Sequence, residues 1–83
     1  MAIVLIGQNK SFIKEIEELK ICDQLIIIES NSIIKKLGVY ESPIIKKRLN
    51  IEYYNNPDFL KTVIVALEGY EVKAAIITDW SIV

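Results

Sequence analysis

The sequence predicts an α/β domain built on an all-parallel sheet, and three observations carry that prediction. Short β-branched runs alternate with stretches of helical spacing along the whole chain. Two of the runs, Ala2 to Ile6 and Leu25 to Ile28, are uninterrupted apolar segments, as suits strands covered on both faces. The connections between runs are long enough for right-handed crossovers. The expected order of elements is βαβαβαβ. The expected architecture is a small three-layer, half-Rossmann-like domain whose four parallel strands lie in the order 3-2-1-4.

Each element has its own local grounds. After the first strand, Phe12, Ile13, Ile16 and Leu19 recur at intervals of three and four, while Lys14, Glu15, Glu17 and Glu18 fill the opposite face; Ser11 is the expected N-cap. Leu25 to Ile28 is the second strand. Asn31 and Ser32 then precede Ile33, Ile34 and Leu37, and Gly38 closes a short helix. Ser42 and Pro43 are expected to restart that helix, since proline is tolerated at a first helical position. Ile51, Glu52, Tyr53 and Tyr54 read as a third, weaker strand. Asn56, Pro57 and Asp58 form a helix start of cap, proline and carboxylate. Leu60, Val63, Ile64 and Leu67 are its expected buried stripe, widened by Phe59 and Ala66, with Gly69 as C-cap. Val72 to Thr78 is the last strand.

Composition narrows the classes. The chain has 83 residues, 52% of them apolar and 17 of them Ile, so one aliphatic core over residues 1–83 is expected. Its apolar runs are far shorter than the roughly 20 residues that span a bilayer. Met1 to Ile6 lacks the basic flank and small-residue cleavage site of a signal peptide. No membrane insertion and a cytoplasmic location are the expectation. One cysteine and no histidine exclude an internal disulfide, a Cys/His zinc site and imidazole catalysis. With 10 basic and 11 acidic residues, no global field draws the chain to nucleic acid. Lys35, Lys36, Lys46, Lys47 and Arg48 crowd the second helical region and read as a solvated face.

Open parallel sheets bind ligands beyond the carboxyl ends of their strands, where the strand order reverses. That point lies between strands one and four. It gathers Gly7, Gln8, Asn9, Lys10 and Ser11 after strand one, Glu29 to Asn31 after strand two, and Thr78 and Asp79 after strand four. Gly7 can turn tightly, and the helix behind it presents unpaired N–H groups. Glu29 follows Gly7 by 22 residues, close to the spacing at which a carboxylate meets an adenosine ribose. Asn9 and Phe12 stand where the dinucleotide fingerprint has its second and third glycines, so the loop is degenerate.

On these residues the chain resembles the nucleotide-binding domain of the KTN/RCK family, regulators of potassium transport and conductance. Ile3 to Gly7 is similar to that family's first strand and leading glycine, and Ile27 to Glu29 to its second strand with the ribose carboxylate. Glu52 to Leu60 follows the rhythm of its Gly-Asp-Ala-Thr-Asp-Pro-Glu-Val-Leu segment, with Glu52 and Tyr53 in place of Gly-Asp. Ala74 to Thr78 resembles its fourth strand, after which this chain ends. The resemblance implies a non-catalytic, nucleotide-sensing regulatory module that dimerises, with NAD or an adenine nucleotide as its ligand.

A second reading is a small homodimeric interaction or adaptor protein, viral, plasmid-borne or regulatory, that uses the fold only as scaffold. The apolar edge of strand four, followed by Trp80, Ile82 and Val83, is its expected interface. A third, cleavage of a small phosphodiester through Lys10, Ser11 and Asp79, would rest on electrostatics alone. One geometric expectation accompanies the topology. Glu29 follows a carboxyl strand end, whereas Lys46, Lys47 and Arg48 precede the amino end of strand three. The two clusters should sit apart by a strand length, on the order of 15 to 20 Å, and a Glu29–Arg48 salt bridge would show the topology to be wrong.

Overall fold

The computed structural model describes residues 1–7, 9–52 and 56–78 and, of the stretch 31–37, the side chains of Asn31, Ile34, Lys35 and Lys36. Gln8, Tyr53, Tyr54, Asp79, Trp80, Ile82 and Val83 lie outside the described residues. The elements run β1 (Ala2–Ile6), α1 (Lys10–Leu19), β2 (Gln24–Glu29), α2 (Asn31–Leu37), β3 (Ile45–Asn50), α3 (Phe59–Ala66) and β4 (Val72–Ile77). The four strands form one sheet in the order β3-β2-β1-β4, and every neighbouring pair is parallel. This is the expected half-Rossmann-like arrangement. None of the described helices is long and apolar enough to cross a membrane.

Alternation along the two central strands sends side chains into two cores. Ala2, Val4, Ile6, Ile26 and Ile28 meet Phe59 and Val63 of α3 on one face. On the other, Ile3, Leu5, Leu25 and Ile27 meet Ile13 and Ile16 of α1. Covering both faces is why β1 and β2 can be continuous apolar runs. At roughly 1.5 to 3 kcal/mol for each large aliphatic side chain fully buried, these two rows are the main stabilising element.

Local signals account for the helix ends. Asn9, rather than Ser11, caps α1: its side-chain oxygen accepts the Phe12 N–H at 3.0 Å, and its carbonyl accepts that of Ile13. Ser11 falls one residue inside the helix because the extended backbone that a cap needs is at Asn9. The helix ends at Lys20 in the left-handed region, φ 53°. Gly38, at φ 72°, closes α2 by donating to the Ile34 carbonyl. Before α3, Asn56 makes a turn in which its side-chain oxygen accepts the Asp58 N–H, so Pro57 lies in the turn and not in the helix.

Two expectations about the second half are corrected. Ser42 and Pro43 do not restart a helix, and Ile51 and Glu52 follow the third strand instead of forming it. Ser42 accepts the Ile45 N–H in a turn, its hydroxyl donates to Glu17 at 2.7 Å, and the basic segment Ile45–Asn50 is itself β3. The stripe of α3 is also displaced. Phe59 and Val63 are buried, whereas Leu60 and Ile64 are 69% and 67% exposed.

Both edge strands carry a one-residue irregularity at a lysine. In β3 the partners jump from Leu25↔Ile45 to Ile26↔Lys47, leaving Lys46 extra. In β4 they jump from Ala2↔Val72 to Ile3↔Ala74, leaving Lys73 extra. Each bulge switches the faces of the residues that follow, so Ile45 packs on the α1 side while Leu49 packs on the α3 side.

Candidate functional site

The sheet order places the carboxyl ends of all four strands on one edge, and the residues found there follow from the register. Gly7 leaves β1 at φ 103°, a conformation that side-chain-bearing residues rarely adopt, and its N–H donates to the Ile28 carbonyl at 2.8 Å. Glu29 is the last residue of β2. Thr78 follows β4, and both its N–H and its hydroxyl donate to the Ile6 carbonyl, at 2.8 and 3.2 Å. Gly7, Glu29 and Thr78 are thus brought to one edge. Asn9, Lys10 and Ser11 sit above it at the start of α1, while Gln8 and Asp79 are outside the described residues.

Glu29 dominates the electrostatics of this edge. Its side chain is only 3% exposed. Oε1 accepts a hydrogen bond from Arg48 Nη1 at 3.1 Å, and Arg48 itself is 21% exposed. Oε2 is buried with no hydrogen-bond partner among the described residues. The expected separation between Glu29 and the basic segment is therefore wrong, although the strand order it was tied to is right. Lys46, Lys47 and Arg48 belong to β3 instead of a preceding helix. The register then puts Arg48 opposite Ile27, one step from Glu29 on the same face.

Arg48 was the residue that sequence reasoning missed. Its one available signal is that it is the single arginine beside nine lysines, a residue type suited to a buried carboxylate partner. The expected Ser30 and Asn31 lie at the same edge, and Asn50 joins them. Ser30 is fully buried and its carbonyl receives the Ile34 N–H at the start of α2, while Asn50 donates to the Asn31 side chain across β3 and α2.

Asn9 and Lys10 are engaged within the protein, whereas Ser11 is exposed in the first turn of α1. The Asn9 carboxamide holds a first-turn N–H of α1, and Lys10 Nζ lies 5.5 Å above the Tyr40 ring. Among the described residues no group of three acidic, cysteine or histidine side chains could hold a metal ion. At the opposite, amino edge, the Met1 ammonium pairs with Asp23 at 2.9 Å. That hydrogen bond raises the ammonium pKa above its ordinary value and is the largest cause holding the Asp23 carboxyl below its own. A cleft of about 300 Å³ lined by Met1, Ala2, Gln24, Gly69, Tyr70 and Glu71 opens nearby. It contains neither Gly7 nor Glu29. Comparisons with family models, curated proteins and solved structures found no match for this chain.

Proposed function

We propose that the carboxyl edge of the sheet binds a nucleotide through its ribose, making the chain a non-catalytic nucleotide-binding or nucleotide-sensing module. The observation that carries the reading is Glu29, a buried carboxylate at the end of β2 with one oxygen held by Arg48 and the other without a donor among the described residues. A carboxylate oxygen removed from water costs free energy until a donor meets it, and a ribose hydroxyl is such a donor. The position is the one at which open parallel sheets bind ligands, and Gly7 beside it permits a tight turn. The KTN/RCK resemblance of Ile3 to Gly7 and Ile27 to Glu29 supports the same ligand class, NAD or an adenine nucleotide. Calorimetric titration with NAD, ATP and AMP tests it. Saturable binding that Glu29→Gln weakens about tenfold or more is the expected result, and no heat at millimolar ligand would overturn it.

The adaptor reading keeps one observation in its favour, the contrast between the two sheet edges. β3 carries the charged residues Lys46, Lys47 and Arg48, a composition that discourages strand pairing, whereas β4 beyond Lys73 is Ala74 to Ile77. Leu60, Ile64 and Val65 of α3 are exposed, as is Ile77. A homodimer paired along β4 would cover that edge. Sedimentation at micromolar concentration should then give twice the mass of 9.5 kDa, falling to the monomer for Ile77→Lys. A wild-type monomer would dismiss the dimer.

A further inference from the structure

We infer that Arg48 reads the ligand together with Glu29: the carboxylate accepts from one hydroxyl of a ribose and the guanidinium donates to its neighbour, so the edge requires both hydroxyls of the vicinal diol. The inference rests on the ribose-binding reading above and deepens it by adding a second recognition residue. β3 supplies that residue through its bulge. The extra residue at Lys46 shifts the face of all that follow, which puts Arg48 on the face of the sheet that carries Ile27 and Glu29. Without the bulge Arg48 would oppose Ile28 and lie on the α3 side, in the aliphatic core.

A guanidinium and a carboxylate can close two parallel hydrogen bonds. Here they close one, from Nη1 to Oε1 at 3.1 Å. The second prong on each side, Arg48 Nη2 and Glu29 Oε2, is buried with no hydrogen-bond partner among the described residues. Asn50, directly opposite Glu29 in the register, gives its amide to Asn31 at 2.6 Å. The edge therefore holds an acceptor and a donor on adjoining groups. With Oε1 bonded to Arg48, Glu29 has one uncommitted oxygen for one hydroxyl, and the second hydroxyl of a diol falls to Nη2. A phosphate dianion brings acceptors alone and an ammonium donors alone, so each would leave one of the two buried atoms unmet. A vicinal diol serves both, since every hydroxyl donates and accepts.

Calorimetric titration of the intact chain with AMP, 2′-deoxy-AMP and 3′-deoxy-AMP is the experiment, the base and the phosphate being common to all three. Each deoxy analogue should bind at least about tenfold more weakly than AMP. A loss for one analogue only, with the other within about threefold of AMP, would overturn the paired recognition while leaving the ribose-binding reading standing. The adenine edge also sets a donor beside an acceptor, and if it met the two atoms both analogues would bind within about threefold of AMP. That result, or no binding of AMP, would overturn both. Arg48→Lys is the second arm, its fold checked by circular dichroism, and the analogue series on the parent stands without it. Lysine keeps a positive charge beside Glu29 but has no second prong. It should cut one of the two discriminations to under about threefold and retain the other. Retention of both would show that Arg48 does not read the ligand, and loss of both that it only positions Glu29; either overturns the inference.

Discussion

Replacing Arg48 with Met should destabilise the fold by about 2 to 4 kcal/mol. Breaking a fully buried ion pair from one side costs about 3 to 5 kcal/mol, because the remaining charge stays out of water without its partner. Glu29 meets that condition at 3% exposure, with Oε2 already lacking a donor among the described residues. Arg48 meets it less fully at 21%, which lowers the figure. Methionine retains much of the aliphatic stem, so the loss reports the guanidinium more than the packing. A domain of this size has a total stability of roughly 4 to 12 kcal/mol, and the substitution removes a large share of it. Urea unfolding followed by far-UV circular dichroism measures the change. With a slope of about 1 kcal/mol/M, the midpoint should fall by about 2 to 4 M. Adding Glu29→Gln to Arg48→Met should return at least about 1 kcal/mol by removing the stranded charge. An Arg48→Met variant within about 0.5 kcal/mol of the parent would refute the claim that Glu29 is held in a buried ion pair.

Three further outcomes follow from particular residues. Gly7→Ala forces a Cβ onto a backbone at φ 103° and should cost about 1 to 2 kcal/mol in the same urea assay. Lys20→Gly relieves a left-handed lysine at φ 53° that ends α1 and should stabilise by up to about 1 kcal/mol, read as a higher melting temperature. The Met1–Asp23 pair predicts a bounded pH dependence. The Asp23 pKa is lowered on folding, so its contribution is present above the ordinary carboxylate value and lost as pH falls through the lowered one. The ammonium pKa is raised, so its contribution is present below its ordinary value and lost as pH rises through the raised one. Stability curves of the parent and Asp23→Asn should differ between those limits and converge outside them.

The legible part of the fold was the part whose chemistry is continuous in sequence. Ala2 to Ile6 and Leu25 to Ile28 are apolar without interruption because both of their faces are covered, and no helix surface demands that pattern. Alternation with helical spacing then indicated the βα units, and the strand order followed from taking them as half of a Rossmann arrangement. β3 was illegible for a physical reason. An edge strand needs few apolar side chains, and the bulge at Lys46 breaks the period of two, so Ile45, Lys47 and Leu49 do not share a face. What remains resembles a basic helical face. In α3, the rows Phe59–Val63 and Leu60–Ile64 are both apolar at a spacing of four, and periodicity has no means of choosing between them. Of the site, Gly7 and Glu29 were found because their spacing is a local property of one βαβ unit. Arg48 depends on the register of β3 against β2, which the missed strand concealed.

The same ion pair separates a structural role from a binding one. A buried pair is seldom the most stable way to fill its volume, and replacing it with apolar residues of similar size is often neutral or stabilising by 1 to 4 kcal/mol in other proteins. This chain has ready aliphatic alternatives, since β2 fills the four preceding positions with Leu25, Ile26, Ile27 and Ile28. If Glu29 and Arg48 only held β2 to β3, the double variant Glu29→Met with Arg48→Met would keep both stability and any ligand affinity. On the ribose-binding reading the two properties come apart. The double variant should unfold within about 1 kcal/mol of the parent or above it, while Arg48→Met alone falls well below. It should also lose AMP binding by at least about a hundredfold, because the acceptor at the end of β2 has gone. AMP binding with unchanged affinity by a stably folded double variant would place the ligand somewhere other than the edge shared by Gly7 and Glu29.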